Sequence, residues 1–90
     1  VKITLVKKVL ADGSSCRKCI DVMGKLEQSG YIERIDEIVS ADEKDPDSPG
    51  MKLAREHNVD RAPFFIVQEA GQPSRVYTVY YQFVREEMEP

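Results

Sequence analysis

Cys16 and Cys19 are the only cysteines in this chain of 90 residues, and just two residues separate them. That spacing suits a dithiol that opens and closes a disulfide. Such chemistry needs one thiolate to attack and a second thiol to resolve the mixed disulfide. Two intervening residues at the start of a helix bring the sulfurs into bonding reach. They leave the first sulfur exposed at the helix end and the second tucked behind it. Unpaired backbone N–H groups and the positive end of the helix dipole then favour a negative sulfur at Cys16. Arg17 and Lys18 add positive charge nearby. The expectation is a Cys16 thiol that ionises below the free value of about 8.5, and a less exposed Cys19 that ionises above Cys16.

Other uses of the pair fit less well. Structural zinc takes four ligands, and the chain offers two cysteines and one histidine, His57. His57 falls in a different predicted helix, so no metal is expected. It reads as a cation near a helix carboxyl end. A structural disulfide closing so short a loop would contribute little, because the entropic gain grows with loop length. A second feature is Pro63, which follows Ala62 and opens the apolar run from Phe64 to Val67. Proline has no N–H for a central ladder, so it belongs at a strand's first residue or at an edge. An X–Pro bond at such a place is a candidate for the cis form.

The elements that must hold these residues follow from pattern. Ile3-Thr4-Leu5-Val6 through Val9-Leu10 is a β-branched, apolar strand interrupted by Lys7 and Lys8. Residues 12–15 form a turn, and Ser14 or Ser15 should cap a helix starting at Cys16. Cys19, Ile20, Met23 and Leu26 share one face of that helix, and Arg17, Lys18, Asp21, Lys25, Glu27 and Gln28 the other. Gly30 is its stop, with Tyr31 and Ile32 packing just beyond. Ile35, Ile38 and Val39 mark a second strand over 33–40, and 42–47 is an acidic loop. Ser48 and Pro49 read as cap and first residue of a helix running to His57, with Met51, Leu53 and Ala54 inward and Asn58 ending it. Residues 64–68 and 75–78 are strands joined by a hairpin at 70–74. A last helix covers 80–88, with Phe83 and Val84 inward. Tyr77, Tyr80 and Tyr81 read as core and rim, and Glu86, Glu87 and Glu89 as a solvated tail.

The order is β-α-β-α-β-β-α in one domain over 1–90. It fits an α/β fold with a four-stranded mixed sheet, helices on both faces and a right-handed crossover. Apolar residues at 41 % and charged residues at 32 % are ordinary for a soluble globular domain. No apolar run approaches the roughly 18 residues a membrane span needs. Lysines lie inside the N-terminal apolar run rather than before it, so that segment reads as a strand and not a signal peptide. A cytoplasmic monomer is expected, with no membrane partner. The net charge of −3 argues against nucleic acid.

Two segments carry a resemblance: Ser14-Ser15-Cys16-Arg17-Lys18-Cys19 between strand and helix, and Val59-Asp60-Arg61-Ala62-Pro63-Phe64 before the hairpin and terminal helix. Over nearly its whole length the chain resembles the thioredoxin-like superfamily, closest in size and element order to minimal glutaredoxin-like domains. The resemblance implies strand order 2-1-3-4, with the third strand antiparallel to the first. It implies Cys16 as nucleophile and Cys19 as resolving thiol, with no cofactor. It implies a cis Ala62–Pro63 peptide packed against the pair, and an Ala62 backbone that pairs with an extended thiol substrate. Arg17, Lys18 and Arg61 should ring the sulfur and favour acidic partners. The substrate-binding set is thus Arg17, Lys18, Arg61, Ala62 and Pro63. The chain departs from the thioredoxin centre by lacking Trp and by carrying Arg17-Lys18 in place of Gly-Pro. Leu10 falls where a buried acid would stand. Arg61-Ala62-Pro63 and Thr78-Val79-Tyr80-Tyr81 differ from the glutaredoxin segments, which counts against glutathione as the partner.

The expected function is a thiol–disulfide oxidoreductase acting on a protein or small-molecule disulfide. Two readings stand beside it. One is a non-catalytic interaction module with this fold, whose thiols would have ordinary pKa values. The other is a redox-sensing or relay domain of a larger protein.

Overall fold

The computed structural model describes residues 1–89. Its elements are β1 (Lys2–Val9), α1 (Arg17–Ser29), a 3-10 turn (Tyr31–Arg34), β2 (Glu37–Asp42), α2 (Pro49–Glu56), β3 (Phe64–Gln68), β4 (Arg75–Tyr77) and α3 (Tyr80–Phe83), which continues as a π-type turn (Val84–Met88). The four strands form one mixed sheet in the order β2-β1-β3-β4. β1 runs parallel to β2, β3 antiparallel to β1, and β4 antiparallel to β3. No helix among the described residues is long and apolar enough to cross a membrane.

The central strands are apolar almost without interruption because both of their faces are covered. Side chains alternate across a strand, so each strand feeds two cores. Ile3, Leu5, Phe65, Val67 and Tyr77 pack with Val22 and Leu26 of α1 and with Phe83 and Met88. Val6, Phe64 and Ile66 pack on the opposite side with Ala41, Met51, Leu53 and Ala54. The first core is locked by the Phe65 and Phe83 rings, which stack with centroids 3.9 Å apart. Gly30 ends α1 in the left-handed region at φ 81°, where a side chain would be strained.

Several boundaries differ from those the sequence suggests. α1 starts at Arg17, with Cys16 as its N-cap. Neither serine caps it. Ser14 donates its amide and hydroxyl to the Asp12 carboxylate at 2.9 and 2.6 Å, and Ser15 forms a bridge with Val9. Ile20 is 60 % exposed, and its expected place in the core is taken by Val22. β2 covers Glu37–Asp42 rather than 33–40. The chain leaving Gly30 first winds into the 3-10 turn, which lays Tyr31 and Ile32 against the first core. Asp36 then accepts the Ile3 amide at 2.7 Å, fixing where β2 begins beside β1. β4 ends at Tyr77, one residue early. Ser48 does stand at the N-cap of α2, but its hydroxyl accepts the Asp42 amide at 3.0 Å, joining the end of β2 to α2.

The acidic C-terminal segment is not a solvated tail. Glu87 accepts Arg75 Nε at 2.7 Å and the Tyr77 hydroxyl at 2.6 Å, and Glu89 accepts the Tyr31 hydroxyl. These bonds tie the last turn to β4 and to the segment after α1.

Gly50 and Gly24 are both helical, yet their surroundings differ. A Cβ at Gly50 would collide with the Ser40 carbonyl and the Ala41 amide of β2, so only glycine allows α2 to lie this close to the sheet. A Cβ at Gly24 meets nothing within 4 Å. Alanine is the better helix former by about 1 kcal/mol. Gly24→Ala should therefore stabilise the chain by about 0.5–1 kcal/mol. Gly50→Ala should destabilise it by about 1–3 kcal/mol, as overpacking against backbone does. Urea unfolding of the two variants checks the opposite signs.

Candidate dithiol site

The site forms where β1 outruns β3. Val6 pairs with Phe64, and the same register continued would put Lys7 opposite Pro63 and Lys8 opposite Ala62. β3 begins only at Phe64, so the ladder stops before that pair. The main chain of Lys8 is thereby left for other partners, and the cysteine segment takes both of its groups. The Lys8 carbonyl accepts the Cys16 amide at 3.1 Å. The Lys8 amide donates to Cys19 Sγ at 3.2 Å. The intervening chain folds back tightly. Leu10 donates to the Ser14 carbonyl and Gly13 to the Leu10 carbonyl, each at 2.8 Å. The first helical bond, from Ile20 N–H to the Cys16 carbonyl at 3.1 Å, starts α1 directly from this clamp.

The two thiols end up unlike. Both are free. Cys16 is half-buried at the helix end, whereas Cys19 is 1 % exposed beneath it. Burial is the largest single effect on Cys16, and it resists ionisation. The Cys19 amide, the Cys19 thiol, the Lys18 amide and the charge of Lys8 together outweigh it, and hold the Cys16 thiol below its ordinary value. Burial also dominates at Cys19 and pushes it up to about 11, against the pull of the Lys8 amide. The neighbouring Cys16 sulfur adds to that rise.

The other expected residues are placed as follows. Arg17 and Lys18 lie exposed on the first turn of α1. Lys18 assists Cys16 through its amide. The cation whose charge favours the Cys16 thiolate is Lys8, a residue outside the set that the sequence suggests. Its only trace in the sequence is that it interrupts an otherwise apolar strand. Arg61 is exposed and lies 3.7 Å from the Asp60 carboxylate. Ala62 is half-buried, Pro63 is buried, and the peptide between them is cis. Lys8, Arg61 and Ala62 share the wall of a cleft of about 600 Å³ that opens beside α2. His57 is the C-cap of α2. Among the described residues, no group of three or more His, Cys, Asp and Glu side chains is arranged to hold a metal ion.

Lys8→Met keeps both main-chain bonds and the apolar stem but removes the charge. It should raise the pH at which Cys16 becomes reactive. Alkylation at neutral pH should slow by about two- to five-fold, the effect of one partly screened charge. An unchanged rate profile against pH would show that the Lys8 charge is not felt at the sulfur. Comparison with known proteins adds no assignment: no family model matches the chain, and no curated protein matches it.

Proposed function

We propose that this chain is a thiol–disulfide oxidoreductase of thioredoxin-like fold, with Cys16 as nucleophile and Cys19 as resolving thiol. The observation that carries the reading is the inequality of the two thiols: one is half-exposed and eased toward thiolate, the other is buried and held as the thiol. An inert pair has no need of that division. The strand order, the helices on both faces and Pro63 at the head of β3 agree with the superfamily the sequence resembles.

The reaction follows from the same inequality. The Cys16 thiolate attacks one sulfur of a substrate disulfide. A bond forms between Cys16 Sγ and that sulfur, the substrate S–S bond breaks, and the other substrate sulfur leaves as thiolate. Cys16 is then neutral. Its sulfur no longer raises the Cys19 pKa, and the Lys8 amide still favours Cys19 as the anion. Cys19 gives up its proton, which the departing thiolate can take, and attacks Cys16 Sγ. A Cys16–Cys19 disulfide forms and the second substrate thiol is released. Two electrons have passed from the dithiol to the substrate, and an external dithiol or two monothiols must return them.

The serine variants separate the two roles. Reduced protein should cleave insulin disulfides, and Cys16→Ser should lose at least about 100-fold of that rate. Cys19→Ser should still attack, and should accumulate a mixed disulfide with substrate, visible as a mass adduct that dithiothreitol removes. If Cys16 reacts no faster than a free thiol and Cys16→Ser costs nothing, the chain is better read as a non-catalytic module.

A further inference from the structure

The cleft that shares Lys8 with the dithiol clamp bears on what kind of substrate the site takes. Its floor is apolar, made by Met51, Ala54, Val59, Ala62 and Phe64. Its volume, about 600 Å³, falls in the range that encloses a sizeable ligand group. One residue of its lining, Lys8, belongs equally to the redox centre. Lys8 binds both cysteines through its main chain and acts on Cys16 through its charge. Ala62 lies where the β1–β3 register would continue, and makes no backbone hydrogen bond among the described residues. An extended chain paired with Ala62 would lie along the mouth of the cleft.

The rim is cationic although the chain is acidic. Lys8, Arg55 and Arg61 stand against Glu43 and Asp60, which leaves three positive charges to two negative. Arg55 spends its guanidinium on the neutral Pro46 carbonyl at 2.7 Å and forms no ion pair among the described residues.

From this we infer that the substrate is a polypeptide disulfide carrying a bulky apolar side chain within two residues of the attacked cysteine, with an acid beside it. The apolar side chain fills the cleft between α2 and residues 58–62, and the acid meets the cationic rim. The inference rests on the oxidoreductase reading and goes further, since it makes the Met51–Ala54–Val59 floor the selector of substrate. A small polar thiol such as glutathione would leave the floor empty, and is a poor substrate on this account.

Mixed disulfides between short one-cysteine peptides and 2-nitro-5-thiobenzoate test it, because release of the coloured thiol reports each attack. Wild-type protein should attack a Phe-Asp-flanked peptide at least about 10-fold faster than an Ala-Ser-flanked one, as filling an apolar pocket allows. Ala54→Leu, which part-fills the cleft, should bring that ratio to within about two-fold. Arg61→Glu, at an exposed position, turns the rim to two positive charges against three negative. It should reverse a preference for Asp-flanked over Lys-flanked peptides. Equal wild-type rates for all peptides and for the glutathione mixed disulfide would overturn the inference while leaving the redox reading intact. So would a Phe preference that survives in Ala54→Leu. If no mixed disulfide reacts, both readings fall together.

Discussion

At the end of β1 a single residue offers one amide and one carbonyl that β3 does not reach, and both go to the cysteine segment. This pair of bonds from Lys8 decides the geometry of everything around it. The carbonyl seats Cys16 as the N-cap of α1, and so sets the sulfur beside the free amides of the first turn. The amide gives the buried Cys19 sulfur a donor, and the sulfur gives the amide an acceptor. An amide left unpaired there would cost about 1–3 kcal/mol. The clamp is therefore structural before it is chemical. The Lys8 side chain then adds a charge at the one place where it favours the outer thiol.

That clamp is available only because the sheet delivers it. β1 is central and buried on both faces, so its carboxyl end is fixed relative to both cores. α1 is held down by Cys19, Val22 and Leu26, which keeps its first turn against that strand end. β3 begins at Phe64, short of Lys8, so the ladder does not consume the amide. On the other side, Gly50 lets α2 approach β2 closely enough to wall the cleft. The far edge is closed differently, by polar groups. Arg75 holds the Glu87 carboxyl below its usual range against the opposing effect of burial, and the Tyr77 hydroxyl helps. Burial together with Glu87 pushes Tyr77 itself up to about 12. A charged cluster thus anchors the terminal turn to β4, beside the apolar contact of Tyr77 with Phe83 and Met88.

Much of this was legible in the sequence, for definable reasons. Gly30, Pro49 and Asn58 punctuate the helices through backbone preferences that act locally, and they stand where pattern puts them. Near-continuous apolar runs in Ile3 to Val6 and Phe64 to Val67 mark strands covered on both faces. Strand order, by contrast, came from resemblance and not from periodicity. The thiol pair was legible because the spacing itself carries the chemistry. What escaped is mostly long-range. Ile20 and Val22 fit the helical pattern about equally well, and only the position of the sheet exposes one and buries the other. The start of β2 depends on a bond between Asp36 and Ile3, far apart in the chain. Glu87 looked solvated because Arg75 and Tyr77 reach it from another element. The role of Lys8 is hidden for the same reason: it comes from a register and a strand end, and no local pattern encodes either.

The central claim is that one clamp makes two neighbouring thiols chemically unequal. The most direct measurement is a titration of thiolate absorbance in the reduced wild-type chain, from acid to strongly alkaline pH, with each step assigned by the single serine variants. Two separate transitions are expected, Cys16 below the ordinary thiol range and Cys19 near 11. A single transition of both thiols near the free value of about 8.5 would contradict the account.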